Sequence, residues 1–238
     1  MIHSSKAVKS SDEISKIEDA CKLGDKIFDY ILEKIHLGVT EKKVAQEINS
    51  FIKKSGGKAS FPTIVAFGKN SANIHNIPTD NKLTENQFVL LDFGVKLNNY
   101  CSDMTRTIFS GKPTTKQKKM YQAVLEAQLK AIQKLNNLVA KKSEIKAFEI
   151  DKIARDYIIS KGYPSIPHSL GHGIGKRVHE SFRISFKSKN YLKEGMVFSI
   201  EPGIYIPNFG GVRIEDLIVL TKSGPRLLTH SPKGIIVL

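Results

Sequence analysis

Two carboxylates stand on either side of one short turn, in the stretch FVLLDFGVKLNNYCSDMTRT. Asp92 closes a run of apolar strand-forming residues, and Asp103 follows beyond the turn. If Leu97 and Asn98 are the central residues of a hairpin, the two aspartates face each other directly. A turn centred on Asn98-Asn99 shifts the pair by two residues and requires a bulge to restore it. Like charges opposed on a sheet are destabilising unless a cation lies between them, so the pattern indicates a cation site.

A second apolar stretch, MVFSIEPGIYIPNFGGVRIEDLIVL, repeats this arrangement. Its turn signal PNFGG is centred near Asn208 and Phe209, which places Glu201 and Glu215 opposite each other to within one residue. One such acid is as readily explained by a surface Lys partner or a helix cap, but two mirrored pairs are not. Four acids beside apolar runs form a negative cluster that requires cations.

Histidines that can complete such a site occur in PHSLGHGIGKRVHE, where His168, His172 and His179 alternate with glycines. Glycine allows the backbone to approach a metal site closely. Carboxylates with one His form an oxygen-rich, hard ligand set. Such a set is typical of sites for Mn, Fe(II) or Co rather than of thiolate-type zinc sites. Cys101 has no activating base beside it, so it is predicted to belong to the core or to lie behind the site.

The hairpins lie within a helix–helix–strand pattern that occurs twice along the chain. Ser10 and Glu13 form a capping box before the first helix, and Thr40 caps the second. The apolar periodicity predicts helices over 11–36, 41–55, 115–137 and 144–161. Strands are predicted over 62–67, 88–96, 100–109, 196–206, 212–220 and 235–238. The pattern indicates an α+β domain of two related halves, whose strands join in one curved, mainly antiparallel sheet backed by helices.

Length and composition set the class of protein. The 238 residues can form one sizeable core, so a single domain over 1–238 is expected, with halves of about 1–112 and 113–238. The net charge is +14, but only six of the 37 basic residues are Arg, the usual reader of bases, so nucleic-acid binding is not expected. Two cysteines, no signal-peptide core and no membrane-length apolar run predict a soluble cytoplasmic protein.

The motifs resemble those of the dinuclear metallopeptidases of the pita-bread fold, which include methionine aminopeptidase, Xaa-Pro aminopeptidase and prolidase. The resemblance runs from about Lys6 to the C-terminus. It rests on FGKNSANIHNIPTDNKL, LLDFGVKLNNYCSDMTRTIF, HSLGHGIGKRVHE, EGMVFSIEPGIYIPNFGGVRIEDLIVLT and LTHSPKGIIVL. The segments NSANIHNIPTD, EPGIYIP and GGVRIEDL are similar to the corresponding motifs of the Xaa-Pro branch. Val178 stands where methionine aminopeptidases usually carry an aromatic residue.

The resemblance implies a metal-binding role for five residues. Asp92 and Asp103 would bind one ion, and His172 and Glu201 a second. Asp103 and Glu215 would bridge the two ions. Glu201 is also implied as the proton shuttle between the attacking water and the leaving amine.

The resemblance implies further roles around the metal ions. His75 and His179 would contact the substrate or the tetrahedral intermediate. His168 matches another active-site histidine of the Xaa-Pro branch. Arg213 would orient a carboxylate ligand from behind, and Tyr205 would line the substrate pocket or support it.

The implied activity is hydrolysis of the N-terminal peptide bond before proline in peptide substrates. It would use two divalent metal ions, Mn first, with Co, Fe or Zn as alternatives, that hold the attacking hydroxide. Two departures bear on specificity: the N-terminal domain usual in the Xaa-Pro branch is expected to be absent, and Phe182 replaces a usual Pro. Removal of initiator Met and a non-catalytic peptide- or RNA-binding module are the alternative functions, and a homodimer is compatible with the resemblance.

Overall fold

The computed structural model describes residues 7–238 of the chain. In that range it contains four α-helices, α1 (Ser11–Leu32), α2 (Glu41–Lys54), α3 (Thr115–Ala140) and α4 (Ala147–Ser160). The predicted start signals of the first two helices are confirmed. Ser10 and Glu13 form the reciprocal capping box, and the Thr40 side chain accepts a hydrogen bond from the Lys43 N–H. No helix in the described part of the chain is long and apolar enough to cross a membrane.

The end of the first predicted helix is wrong by four residues. The helix ends at Leu32 instead of 36, and the chain then turns through Gly38, whose φ of 84° is left-handed. Ile35 is still buried, because the turn after the helix packs on the same core. Its apolar side chain therefore continued the helical period beyond the last helical residue.

Partners distant in sequence changed two other predicted elements. The fourth helix begins at Ala147 rather than 144, because Ile145–Lys146 pairs as a strand with Tyr191–Leu192. The predicted strand at 235–238 is absent from the described structure, where only one isolated bridge joins Val237 to Phe109. Backbone hydrogen bonds from the Phe109 N–H to the Ile236 carbonyl and from the Leu238 N–H to the Phe109 carbonyl hold the tail beside Phe109.

The described residues contain fifteen short strands: β1 (Lys58–Ala59), β2 (Ile64–Phe67), β3 (Gln87–Phe93), β4 (Val95–Leu97), β5 (Tyr100–Cys101), β6 (Met104–Ser110), β7 (Ile145–Lys146), β8 (Gly171–Gly173), β9 (Glu180–Ile184), β10 (Tyr191–Leu192), β11 (Val197–Ile200), β12 (Gly203–Ile206), β13 (Gly210–Arg213), β14 (Asp216–Thr221) and β15 (Gly224–Leu227). They form five antiparallel sheets with the orders β2-β3-β6, β1-β4-β5, β15-β14-β11-β8-β9, β12-β13 and β10-β7. Helices α1 and α2 pack on the strands of the first half, and α3 and α4 on those of the second. The predicted α+β class with two halves is confirmed.

The two halves meet where β6 runs beside β13 and β14. The Glu215 N–H donates to the Thr105 carbonyl at 3.1 Å. The Thr107 hydroxyl accepts from the Arg213 N–H at 3.1 Å and donates to the Arg213 carbonyl at 2.9 Å. These bonds join hairpins more than 100 residues apart in sequence, and they bring the two pairs of predicted acids together.

The first hairpin turns at Asn98-Asn99, so the predicted direct opposition of Asp92 and Asp103 is wrong. Both asparagines have positive φ, 49° and 67°, which suits a two-residue hairpin turn and which Asn tolerates. The strand register pairs Asp92 with Thr105, and the same register continued by two residues sets Asp103 opposite Gly94. The two aspartates are therefore diagonal neighbours on one face, and no bulge is needed.

The second hairpin has the predicted register. The ladder between β11 and β14 and the ladder between β12 and β13 share one alignment, which sets Glu201 opposite Glu215 in the gap between them. The turn is centred on Asn208, whose φ is 61°. Each glutamate therefore lies between the two paired segments, where the regular strand pairing is interrupted.

Candidate active site

A cavity of about 540 Å³ opens where the two hairpins meet, and its lining contains residues of both halves. Nine of the ten predicted site residues line it: His75, Asp92, Asp103, His168, His172, His179, Glu201, Arg213 and Glu215. Tyr205 is not part of the lining. It lies behind the lining, where its hydroxyl contacts Arg213 and His168.

The centre of the cavity is a compact group of ligand-type side chains. Asp103, His172 and Glu215 are buried, and one potential ligand atom of each lies within 4.8 Å of the others. His172 Nε2 is 3.5 Å from Asp103 Oδ2 and 3.3 Å from Glu201 Oε1. The arrangement brings three of the four predicted carboxylates close to one imidazole.

The charges of this group oppose one another. Burial, followed by the neighbouring carboxylates Asp92 and Glu201, raises the pKa of Asp103 well above its ordinary value. Burial, followed by Asp103 and Glu201, raises the pKa of Glu215 in the same way. The pKa of Asp92 is also raised by burial, although the Arg213 guanidinium opposes the shift. The site therefore disfavours its own negative charge and would be stabilised by cations.

One oxygen of the group has no hydrogen-bond partner. Glu215 Oε2 accepts a hydrogen bond from the Thr105 hydroxyl at 2.7 Å, whereas the buried Glu215 Oε1 has no partner among the described residues. A buried acceptor without a donor is costly. Its nearest potential ligand atoms, on Asp103 and His172, belong to the same cluster. This donor set and the orphaned oxygen fit a metal ion.

Arg213 and Thr105 hold two of the acids in place. The Arg213 guanidinium donates to Asp92 Oδ2 at 2.5 Å and to Thr105 Oγ1 at 3.1 Å. The Thr105 hydroxyl in turn donates a hydrogen bond to Glu215 Oε2. One guanidinium thus orients a carboxylate from each hairpin, directly in the case of Asp92 and through Thr105 in the case of Glu215.

His168 is fixed through Tyr205. The His168 Nδ1–H donates to the Ser169 carbonyl at 2.8 Å, so Nε2 accepts from the Tyr205 hydroxyl at 2.9 Å. Tyr205 in turn accepts from Arg213 Nη1 at 2.8 Å. Burial lowers the pKa of His168 and raises the pKa of Tyr205 to about 12, so both are neutral near pH 7. Both ring nitrogens of His168 are engaged by the protein.

His75 and His179 have free ring nitrogens within the described structure. The His179 ring packs edge-to-face on His172, with 4.3 Å between ring centroids. Partial burial lowers the pKa of His179 to about 4, so its imidazole is neutral at pH 7. His75 is exposed on the segment that follows a short 3₁₀ turn, Gly68–Ala72. Both histidines line the cavity.

Three residues beside the ligands were not predicted from the sequence. Ser199 donates to Glu201 Oε1 at 3.0 Å and accepts from the His172 N–H at 3.1 Å. Thr105 and Ser199 each lie two positions from a predicted ligand, on the same strand face, and that spacing was the available signal. Arg183, which lines the cavity from β9, has no such signal.

The helices, the antiparallel sheets and the similarity to solved structures show the pita-bread fold. The sequence model of metallopeptidase family M24 matches residues 15–222, and the chain belongs to this family. The family is metal-dependent, which agrees with the donor set of the cavity. The resemblance stated from the motifs is thereby confirmed.

Among solved structures, the chain is similar to an Xaa-Pro dipeptidase from Bacillus anthracis, with a TM-score of 0.92 and 42% identity over 98% of this chain and 64% of that one. It is also similar to a prolidase from Pyrococcus furiosus, with a TM-score of 0.88 and 41% identity over 95% of this chain and 66% of that one. A curated relative from Staphylococcus haemolyticus, described as an uncharacterized peptidase, is 44% identical over 95% of this chain. The chain spans 63% of that relative's length.

Proposed function

We propose that this chain is a metal-dependent aminopeptidase or dipeptidase that hydrolyses the peptide bond before proline. The observation that carries the proposal is the buried group of Asp103, His172 and Glu215, whose ligand atoms lie within 4.8 Å of one another. Similarity to an Xaa-Pro dipeptidase and a prolidase supports the choice of substrate. We propose further that residues 1–238 act as one catalytic unit, because both halves line the cavity.

The four acids and the one His would supply the ligands for two divalent cations, with Mn as the first choice. Asp92 and Asp103 would hold one ion and His172 and Glu201 the other, and Asp103 and Glu215 would serve both. Oxygen-rich sets with one imidazole suit Mn, Co or Fe(II). When bound, such cations lower the pKa of a water molecule and polarise the scissile carbonyl.

Residues of the chain would transfer the proton and bind the substrate. Ser199 donates to Glu201 Oε1, so Oε2 is the oxygen without a side-chain hydrogen bond in the described structure. We assign to Glu201 Oε2 the transfer of the proton to the leaving amine. His75 and His179, whose ring nitrogens are free, would hydrogen-bond the peptide. His168 would support the site through Tyr205.

The shape and polarity of the cavity suit a short peptide with an amino terminus and an apolar ring. Its lining includes the carboxylate cluster. The lining also includes seven apolar residues: Phe61, Pro62, Ile64, Ile74, Ile77, Pro78 and Val178. An apolar wall of this kind favours contact with a pyrrolidine ring over contact with a polar side chain.

Arg183 is the candidate anchor for a substrate carboxylate. It lines the cavity, and its guanidinium forms no hydrogen bond or ion pair with other described residues. We expect Arg183→Ala to raise KM for a free Xaa-Pro dipeptide by about tenfold to a hundredfold, the worth of one charge-assisted hydrogen bond, with little change in kcat.

The comparison is made by steady-state kinetics on the dipeptide and on its C-terminal amide. Only the free acid should lose affinity in the Arg183→Ala variant. Arg177→Ala is the matched control, since Arg177 is exposed and does not line the cavity. An equal rise in KM for acid and amide would exclude carboxylate recognition by Arg183.

The proposed reaction is tested by loading the purified protein with Mn or Co and assaying Xaa-Pro dipeptides, Xaa-Pro-Yaa tripeptides and Met-Ala-Ser. Asp92→Ala should be inactive, whereas Asp19→Ala should retain activity, because Asp19 is exposed and its ion pair within the described structure is with Lys22 at the surface. Cleavage of Met-Ala-Ser alone would favour removal of initiator Met. Cleavage of none of them, with Asp92→Ala and the unmodified protein behaving alike, would show that the chain is not a peptidase.

A further inference from the structure

Glu41 is a buried carboxylate outside the cavity. It is the first residue of α2, and its exposed fraction is 0%. A buried carboxylate normally needs a cation or several donors. Glu41 forms no ion pair with the described residues. Its position at a helix N-terminus favours negative charge, and the remaining compensation comes from hydrogen bonds.

All the side-chain hydrogen bonds that Glu41 accepts come from one segment, residues 67–81. Its Oε1 accepts from the Phe67 N–H at 2.8 Å, Asn70 Nδ2 at 2.9 Å and Asn81 Nδ2 at 3.3 Å. Its Oε2 accepts from the Thr79 N–H at 3.0 Å and the Thr79 hydroxyl at 2.7 Å. One carboxylate therefore ties the two ends of the segment together.

The middle of the segment is tied to the same carboxylate. Asn76 Nδ2 donates to the Val65 carbonyl at 2.9 Å and lies 3.5 Å from Glu41 Oε2. Backbone bonds from the start of α2 add to the attachment, with the Glu41 N–H donating to the Asn81 carbonyl and the Lys42 N–H to the Thr79 carbonyl. The segment is a closed loop built around Glu41.

This loop forms one wall of the cavity. Ile74, His75, Asn76, Ile77 and Pro78 all belong to the lining. His75 has no hydrogen bond of its own in the described structure and is exposed, so the backbone on either side determines where its ring lies. The backbone on either side is in turn held by Glu41.

We propose that Glu41 is a positioning residue of the active site, which presents His75 and the apolar wall to the substrate from behind the loop. The inference rests on the proposed peptidase function. Catalytic groups need to be held by packed and hydrogen-bonded neighbours, and a displacement of about 1 Å can cost a hundredfold in rate. Glu41 acts only through the loop, since none of its contacts is to a candidate metal ligand.

The test compares Glu41→Gln with Thr79→Val. Glu41→Gln turns one acceptor oxygen into a donor that faces other donors. Thr79→Val removes one hydroxyl of an exposed residue and carries the test if Glu41→Gln does not fold. Glu47→Gln is the matched control, because Glu47 lies on the same helix and contacts Tyr30 and Lys43 instead of the loop.

Amide hydrogen exchange is the readout that does not depend on activity. We expect Glu41→Gln and Thr79→Val to speed exchange within 68–81 and to leave β3 and bound Mn content unchanged. Unchanged exchange in that loop, or loss of Mn, would overturn the inference. This readout decides the question even if the unmodified protein cleaves no peptide, an outcome that would defeat only the proposed function.

Kinetics then separates positioning from general destabilisation. We expect Glu41→Gln to lower kcat/KM for Xaa-Pro peptides by about tenfold to a hundredfold at a temperature where the variant is folded. In a His75→Ala background the same substitution should cost only about threefold, because the group it positions is already missing. An equal loss in both backgrounds would show that Glu41 does not act through His75.

Discussion

Asp103→Asn is expected to lower kcat/KM for Xaa-Pro peptides by at least about 10³-fold, which corresponds to about 4 kcal/mol of transition-state stabilisation. Asp103 belongs to the compact ligand group with His172 and Glu215, and its Oδ2 lies 3.5 Å from His172 Nε2. Asn has the same shape but carries no charge, so it removes a shared anionic ligand without leaving a cavity. Steady-state kinetics and metal analysis of the same preparation measure the loss.

The same substitution should have the opposite effect on the metal-free protein. Burial and the neighbouring Asp92 and Glu201 disfavour the negative charge of Asp103, as its raised pKa indicates. Removing that charge relieves repulsion, so the Tm measured in EDTA should rise, by about 2–4 °C for each kcal/mol of repulsion removed. The increase in Tm that added Mn produces in the unmodified protein should disappear.

Asp19→Asn is the control for both measurements, because Asp19 is exposed and its ion pair within the described structure is with Lys22 at the surface. Its stability should stay within about 0.5 kcal/mol of the unmodified protein, as is usual for surface substitutions. An Asp103→Asn protein that still binds Mn and retains kcat/KM within about tenfold would contradict the assigned role.

Arg106→Met is expected to destabilise the fold by about 3–5 kcal/mol, the cost of removing one member of a buried ion pair. Arg106 has an exposed fraction of 1%, and its Nη2 donates to Asp216 Oδ1 at 2.7 Å. The same guanidinium donates to the Ser231 and Thr105 carbonyls and, at 2.5 Å, to the Glu215 carbonyl. It thus ties the first hairpin to the second and to the C-terminal segment.

The stabilisation by the ion pair between Arg106 and Asp216 is expected to depend on pH. Burial alone would raise the pKa of Asp216, but Arg106 and Lys233 lower it below its ordinary value. A depressed folded-state pKa means that the stabilisation is present above the unfolded value of about 3.9 and is lost as the pH falls through the folded value. The destabilisation by Asp216→Asn should therefore be full at pH 7 and smaller in acid.

Urea unfolding at pH 7 and at about pH 3 measures both effects. The double variant Arg106→Met/Asp216→Leu should be less destabilised than the sum of the single variants, since no unpaired charge remains between these two positions. Lys16→Met serves as the control, because its ion pair with Asp12 is exposed and worth at most about 1 kcal/mol. Additive single-variant effects would mean that the two charges do not stabilise each other.

Some features of this protein followed from local sequence alone. The helix caps at Ser10 and Thr40 formed as predicted, because a capping hydrogen bond spans only three residues. Glu201 and Glu215 were placed opposite each other from the turn between them, because a hairpin's register follows from its turn. The sequences of the motifs were enough to indicate the family.

The local sequence of the first hairpin left two positions of the turn open. The sequence permitted a turn at 97–98 or at 98–99, and the structure has the second, in which both asparagines adopt positive φ. Direct opposition of Asp92 and Asp103 was not needed for a metal site, because diagonal neighbours on one face also converge. The prediction that the two aspartates lie close together therefore did not depend on which turn formed.

Tertiary structure alone decided which buried polar groups meet. Glu41 looks like an ordinary surface residue at a helix start, and Arg106 like an exposed strand residue, yet both are fully buried. Their partners lie 26 to 40 residues away for Glu41, and 125 residues away for the Arg106 contact with Ser231. A residue's neighbours in sequence determine its local backbone conformation. The donors and acceptors that compensate the burial of its side chain come from segments that lie beside it only in the folded protein.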